Sequence, residues 1–239
     1  MVKKTAYTRD ETIRDIAIGM QNWKGLYKNK VVYRTGRTSD SSELYTEIMA
    51  QELLKKVGNL YTINKITRKE SYYIATHTGE PDSKAQEETE KLLAIDLFKF
   101  GKEFDYIGKI FDYEVPLKNS NGDKDVGKID LIAKKENTVT LLELKAQNSK
   151  ETLLRCVLEV FTYWKTLDHQ KFLYDFKDKN LSQDHIIKKA VLVFEGSSAY
   201  KQYHGKEENK NTLSLMKELG VEMFVLHKIS EKQYAVRLP

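Results

Sequence analysis

Apolar residues recur along this chain in two periods, and the change from one to the other organises it. Ile13, Ile16, Ala17 and Met20 fall at helical spacing within Glu11 to Met20. Ser41-Ser42 then precedes a second stripe, Leu44, Ile48, Leu53 and Leu54, over Glu43 to Val57, closed by Gly58. A short strand is predicted at Tyr72 to Ala75, and the polar run Thr76 to Lys84, with Gly79 and Pro81, is the best boundary between units. Beyond it the pattern predicts a helix from Ser83 to Gly101 and strands at Ile107 to Leu117, Lys128 to Lys135 and Val139 to Ala146. A long helix from Ser149 to Leu167 and a strand at Lys189 to Glu195 follow, then a helix at Asn211 to Leu219 and strands at Glu222 to Lys228 and Gln233 to Leu238.

The turn-like Asn121-Gly122 and Glu136-Asn137 make the first three of those strands an antiparallel meander, and the helix after it can carry the chain to a parallel fourth strand. The expected fold is therefore α/β: a mixed sheet with helices on its faces. Residues 1–82 read as a mainly helical extension and 83–239 as the main domain.

Composition narrows the function classes. No eighteen-residue apolar run and no secretory leader can be read, so a cytoplasmic protein without a membrane partner is expected. The one cysteine, Cys156, has no second cysteine or histidine at ligand spacing, which argues against disulfides and zinc. The five histidines are scattered, and neither a nucleophile elbow nor a phosphate-binding Gly-rich loop is present. A net charge of +5 is too small to announce a nucleic-acid binder by itself. Its distribution says more: Lys24, Lys28, Lys30, Arg34 and Arg37 occur with no acid among them, interleaved with Trp23, Tyr27 and Tyr33. That stretch reads either as a phosphate-holding, base-stacking surface or as a solvated segment with core aromatics.

The candidate chemistry lies in Asp130, twelve intervening residues, and Glu143-Leu144-Lys145. A carboxylate in a half-buried strand is costly unless it binds a cation or does chemistry. If Glu136-Asn137 is a two-residue loop, Lys135 faces Thr138, Asp130 falls across from Glu143, and Lys145 lies one step further on the same face. A three-residue loop would turn Asp130 to the other side. Two carboxylates so placed repel, and a hard divalent cation, Mg²⁺ or Mn²⁺, removes the repulsion. Lys145 beside it would orient and help deprotonate an attacking water and stabilise charge on a phosphoryl oxygen. The plainer reading is a charged surface hairpin.

With its apolar opposite faces and flanking helices, Ser83 to Glu195 resembles the PD-(D/E)XK nuclease superfamily, whose restriction-endonuclease-like core runs helix, three-stranded meander, helix, strand. The resemblance implies catalytic roles for Asp130, here preceded by Ile129 rather than proline, and for Glu143 and Lys145. It implies a metal site at Asp130, Glu143 and Leu144. The superfamily often adds a glutamate from the preceding helix; Ala85, Glu88, Leu92 and Ile95 share one helical face, which singles out Glu88 from Glu87 and Glu90. Some DNA-end-processing branches carry Gln-x₃-Tyr in the following helix, where this chain has Glu159 and Tyr163, a departure from that pattern. Arg155 on the same helix reads as a phosphate contact or as a partner for Glu151 or Glu159. Asp112 and Glu114 would be further ligands or a solvent-facing edge.

What the resemblance implies is a metal-dependent deoxyribonuclease acting on DNA, with a homodimer as the natural state if both strands are cut. The alternative is an inactive nuclease-like module that binds nucleic acid or protein.

Overall fold

In the computed structural model, residues 6–80, 89–120, 122–123, 125–231 and 233–239 are described. The helices are α1 (Arg9–Gly19), α2 (Tyr45–Leu54), α3 (Thr89–Phe100), α4 (Leu153–Thr166), α5 (His169–Asp175), α6 (Ser198–His204) and α7 (Lys210–Glu218). The strands are β1 (Glu103–Phe104), β2 (Gly108–Pro116), β3 (Lys128–Lys135), β4 (Thr138–Lys145), β5 (Ile186–Phe194), β6 (Glu222–Ser230) and β7 (Gln233–Arg237). They form one seven-stranded sheet in sequence order. β2, β3 and β4 pair antiparallel, β4, β5 and β6 parallel, and β7 returns antiparallel to β6. The fold is mixed α/β with helices on the sheet, as the two periods predict.

β4 is central and buried from Val139 to Lys145, as expected of a strand with neighbours on both edges and helices on both faces. Alternation sends Leu131, Ala133, Leu142 and Leu144 into one core, under Leu93, Ala94 and Leu97 of α3. Ile132, Val139 and Leu141 go to the other, under Leu154, Val157 and Phe161 of α4. Ile16, Met49 and Leu53 of the N-terminal helices belong to that second core as well. The division placed between residues 82 and 83 falls among residues that are not described. Glu47 of α2 accepts from the N–H groups of Asn211 (2.7 Å) and Thr212 (2.9 Å), so it supplies the cap that α7 lacks from its own Asn209.

Three local expectations fail for identifiable reasons. Tyr72 to Ala75 is not a strand: Tyr72 is buried, its N–H goes to the Asp175 carboxylate (2.9 Å) and its hydroxyl to the Ile66 carbonyl (3.0 Å), so tertiary bonds replace a ladder. Ser41-Ser42 does not cap α2, because Ser42 sits at φ 56° and the helix starts only at Tyr45. α4 starts at Leu153, capped by Thr152, whose hydroxyl accepts from the Arg155 N–H (3.2 Å). Among the described residues no helix is long and apolar enough to cross a membrane.

Candidate metal centre

The hairpin register is the expected one. Lys135 pairs with Thr138 and Leu131 with Leu142 around the two-residue Glu136-Asn137 connection, with Glu136 at φ 52°. Continued by one pair, this alignment sets Asp130 across from Glu143, on the face that α4 covers. The Leu144 N–H donates to Asp130 Oδ2 (2.8 Å). The Leu144 side chain packs in the opposite core. Of Leu144, then, only the main chain meets the acids, and its N–H is a donor rather than a ligand, which corrects the expectation for the residue as a whole.

Lys145 Nζ lies 2.7 Å from Glu143 Oε1, 3.0 Å from Glu151 Oε2 and 3.5 Å from Glu90 Oε2. Arg155, in the first turn of α4, pairs with Glu151 just ahead of the helix and, at 3.1 Å, with Glu159 one turn on. Glu159 Oε1 accepts from the Tyr163 hydroxyl (2.8 Å), which in turn lies 3.5 Å from that of Tyr27. Glu90 of α3 also accepts from the Ala146 N–H (3.3 Å). Glu88 lies outside the described residues.

Five carboxylates, those of Asp130, Glu143, Glu151, Glu159 and Glu90, therefore gather around two cations, Lys145 and Arg155. The imbalance shows in their protonation. Burial pushes the Asp130 carboxyl up to about 7, against the pull of Lys145 and the Leu144 N–H. Burial, then the charges of Asp130 and Glu159, hold Glu143 well above the usual carboxylate range. Burial favours neutral Lys145, but the carboxylates, Glu143 first, outweigh it and keep the ammonium charged. Without a bound cation Lys145 is thus a proton donor and positive charge, and not the base that would deprotonate a water.

Glu143 Oε2 is buried with no hydrogen-bond partner. An orphaned carboxylate oxygen in an all-oxygen, net-negative cluster fits a hard divalent cation. A cleft of about 470 Å³ has Glu90, Lys91, Glu114, Asp130 and Asn148 on its walls, so of the five acids it reaches Asp130 and Glu90.

The remaining sequence candidates separate. Arg34 pairs with Asp15 and lies over the Tyr7 ring (3.4 Å to the centroid), and Arg37 pairs with Glu208 (3.0 Å), so both cations are engaged within the fold. Lys28 and Lys30 are exposed and Lys24 half-buried, so these three keep to the surface. Tyr27 is a core residue and Trp23 packs against the same core, whereas Tyr33 remains 49% exposed. The Arg155 guanidinium is buried against Glu151 and Glu159 and lies 4.5 Å from the centroid of Tyr33, which is the partner reading rather than a free phosphate contact. Tyr163 is likewise buried and bound to Glu159, out of reach of a base. Asp112 is not on a solvent-facing edge: it is buried and 2.7 Å from His77 Nδ1. Glu114 does reach the cleft, paired with Lys128 (2.7 Å).

Sequence reasoning passed over Glu90 in favour of Glu88 and gave Glu151 no role beyond pairing. The i, i+4 spacing of Glu151, Arg155 and Glu159 was the readable signal, although Glu151 lies just ahead of α4 and only the other two share a face of the helix. Their burial was not readable.

Gly127 shows how closely this site is built. A Cβ there would lie 2.6 Å from the Tyr163 hydroxyl, which Glu159 holds in place. Gly127→Ala is expected to cost about 1–3 kcal/mol by overpacking. Thermal denaturation of Gly127→Ala beside Gly127→Ala/Tyr163→Phe checks the cause: removing the hydroxyl should return part of the loss, and an additive double variant would refute the clash.

Compared with protein-family models, with curated proteins and with solved structures, the chain matches none.

Proposed function

We propose that this protein is a metal-dependent nuclease of the PD-(D/E)XK type, with DNA as substrate and Mg²⁺ or Mn²⁺ as cofactor. The observation that carries the reading is the shared sheet face of Asp130, Glu143 and Lys145, set by the two-residue hairpin connection and covered by α4. The order α3, β2-β3-β4 antiparallel, α4, parallel β5 supports it, because that is the core order of the superfamily the sequence resembles. DNA rather than RNA follows from that resemblance alone.

Asp130 and Glu143 are the residues that would hold the cation. Bound there, a divalent cation supplies Lewis-acid polarisation of a phosphodiester and a lowered pKa for a coordinated water. The chain's own contribution is positional. The Leu144 N–H fixes the Asp130 carboxylate, and Glu143 fixes Lys145. The Lys145 ammonium donates to the attacking water or to a phosphoryl oxygen as negative charge builds. Walls carrying Glu90, Glu114 and Asp130 against Lys91 would repel a polyanion, so a phosphodiester enters this cleft only against added positive charge.

Plasmid, linear and single-stranded DNA incubated with the protein in Mg²⁺, Mn²⁺ or EDTA test the reading. Cleavage that needs the cation and disappears in Asp130→Ala is expected; equal products in EDTA, or from Asp130→Ala, would refute it. The closed ion-pair network around Lys145 and Arg155 is also what an inactive binding module would keep. Salt-dependent DNA binding without cation binding would favour that module.

A further inference from the structure

Glu143 of β4, Glu151 just ahead of α4 and Glu159 on it make a group that does not include Asp130. Glu143, Glu151 and Glu159 can each present one carboxylate oxygen so that all three lie within 4.8 Å of one another. Asp130 instead faces the cleft and is tied to the Leu144 N–H. Lys145 and Arg155 pair with members of the triad, yet Glu143, 2% exposed, still leaves Oε2 without a partner. A salt-bridge network complete in itself would satisfy that atom, because a buried unpaired carboxylate oxygen costs more than the pairs around it return. The triad offers oxygen alone, which suits a hard cation over zinc or copper. Glu151, with 28% of its side chain exposed, leaves a route from solvent.

We propose that Glu143, Glu151 and Glu159 form a second divalent-cation position, sharing Glu143 with the Asp130–Glu143 position. The inference rests on the cation-dependent reading above and adds to it two ligands, Glu151 from the segment before α4 and Glu159 from the helix itself. Because Glu143 is common to both, losing either neighbour lowers the stoichiometry without emptying the site.

Calorimetric titration of Mn²⁺ into the metal-free full chain, with free Mn²⁺ counted by its paramagnetic resonance signal, tests this directly. Wild type should bind two ions per chain; Glu151→Gln, Glu159→Gln and Asp130→Asn should each retain one, and Glu143→Gln should bind neither tightly. Far-UV circular dichroism and melting in EDTA check that the isosteric variants fold. Glu151→Gln, at the most exposed member of the triad, serves if Glu159→Gln does not. A single ion that Asp130→Asn abolishes and that Glu151→Gln and Glu159→Gln leave unchanged would overturn the second position while leaving the nuclease reading intact. No Mn²⁺ bound by wild type would overturn both.

Discussion

Lys145→Met is expected to abolish the proposed DNA cleavage and to leave cation binding in place. The expected loss is about 10³-fold or more, the scale of removing one charge-stabilising donor from a preorganised site. The ammonium is buried, lies 2.7 Å from Glu143 and is kept charged by the acids around it, so no other described group can replace it at that position. The stability readout should move as well. Deleting one partner of a buried pair leaves Glu143 and Glu151 facing each other and costs about 3–5 kcal/mol. Excess Mn²⁺ should return part of that loss, since the ion takes over the neutralising role that Lys145 held. Cleavage assays and melting curves on the same preparation separate the two effects. A Lys145→Met protein that cuts at the wild-type rate in saturating Mn²⁺ would remove Lys145 from the chemistry.

The hairpin was legible because strand alternation has a period of two and a two-residue connection leaves one register. Lys135 opposite Thr138 is all that Asp130 and Glu143 need to share a face, and both residues can be read from the chain. Glu151 and Glu159 were legible only as a ladder of charges with Arg155. Spacing reveals which side chains share a helical face but not what that face covers, and Glu151, Arg155 and Glu159 would suit a solvated helix equally well. The burial of Arg155 and Glu159 comes from packing against β4 and the N-terminal elements, which is long-range information. The N-terminal segment failed in the same way. Tyr27 looks like a stacking platform beside lysines, yet its hydroxyl meets Tyr163 inside the core. Arg34 and Arg37 have their acids, Asp15 and Glu208, 19 and 171 residues away in sequence, so a run without local acids was not a run without partners. Tyr72 shows the converse: a strand-like pattern produced by one buried ring and bonds to distant groups.

Asp130→Asn should raise the melting temperature of the cation-free protein while ending its activity. In an unfolded chain the Asp carboxyl ionises near 3.8, whereas folded Asp130 holds its proton to about 7. Between those values the folded state binds more protons than the unfolded, so stability falls as pH rises through the window. The contribution is fully present below the unfolded value and is lost above about 7; Glu143, shifted in the same direction, deepens the loss. Asparagine removes the titration and can still accept from the Leu144 N–H. Each pKa unit is worth about 1.4 kcal/mol, and in a chain of this length 1 kcal/mol moves the midpoint about 2–4 °C. In EDTA the variant should therefore melt several degrees above wild type near pH 8, with the gap narrowing as pH falls and closing towards about pH 4. Excess Mn²⁺ should narrow or reverse the gap, raising wild type, which binds two ions, more than the variant, which keeps one, because each ion bound stabilises the form that binds it. Melting scans across that pH range, with EDTA and with Mn²⁺, make the comparison. A variant less stable than wild type in EDTA near pH 8 would mean that Asp130 belongs to a stabilising ion-pair network. The opposite sign is expected of a ligand, a carboxylate whose charge burdens the empty fold and is relieved only by the cation it holds.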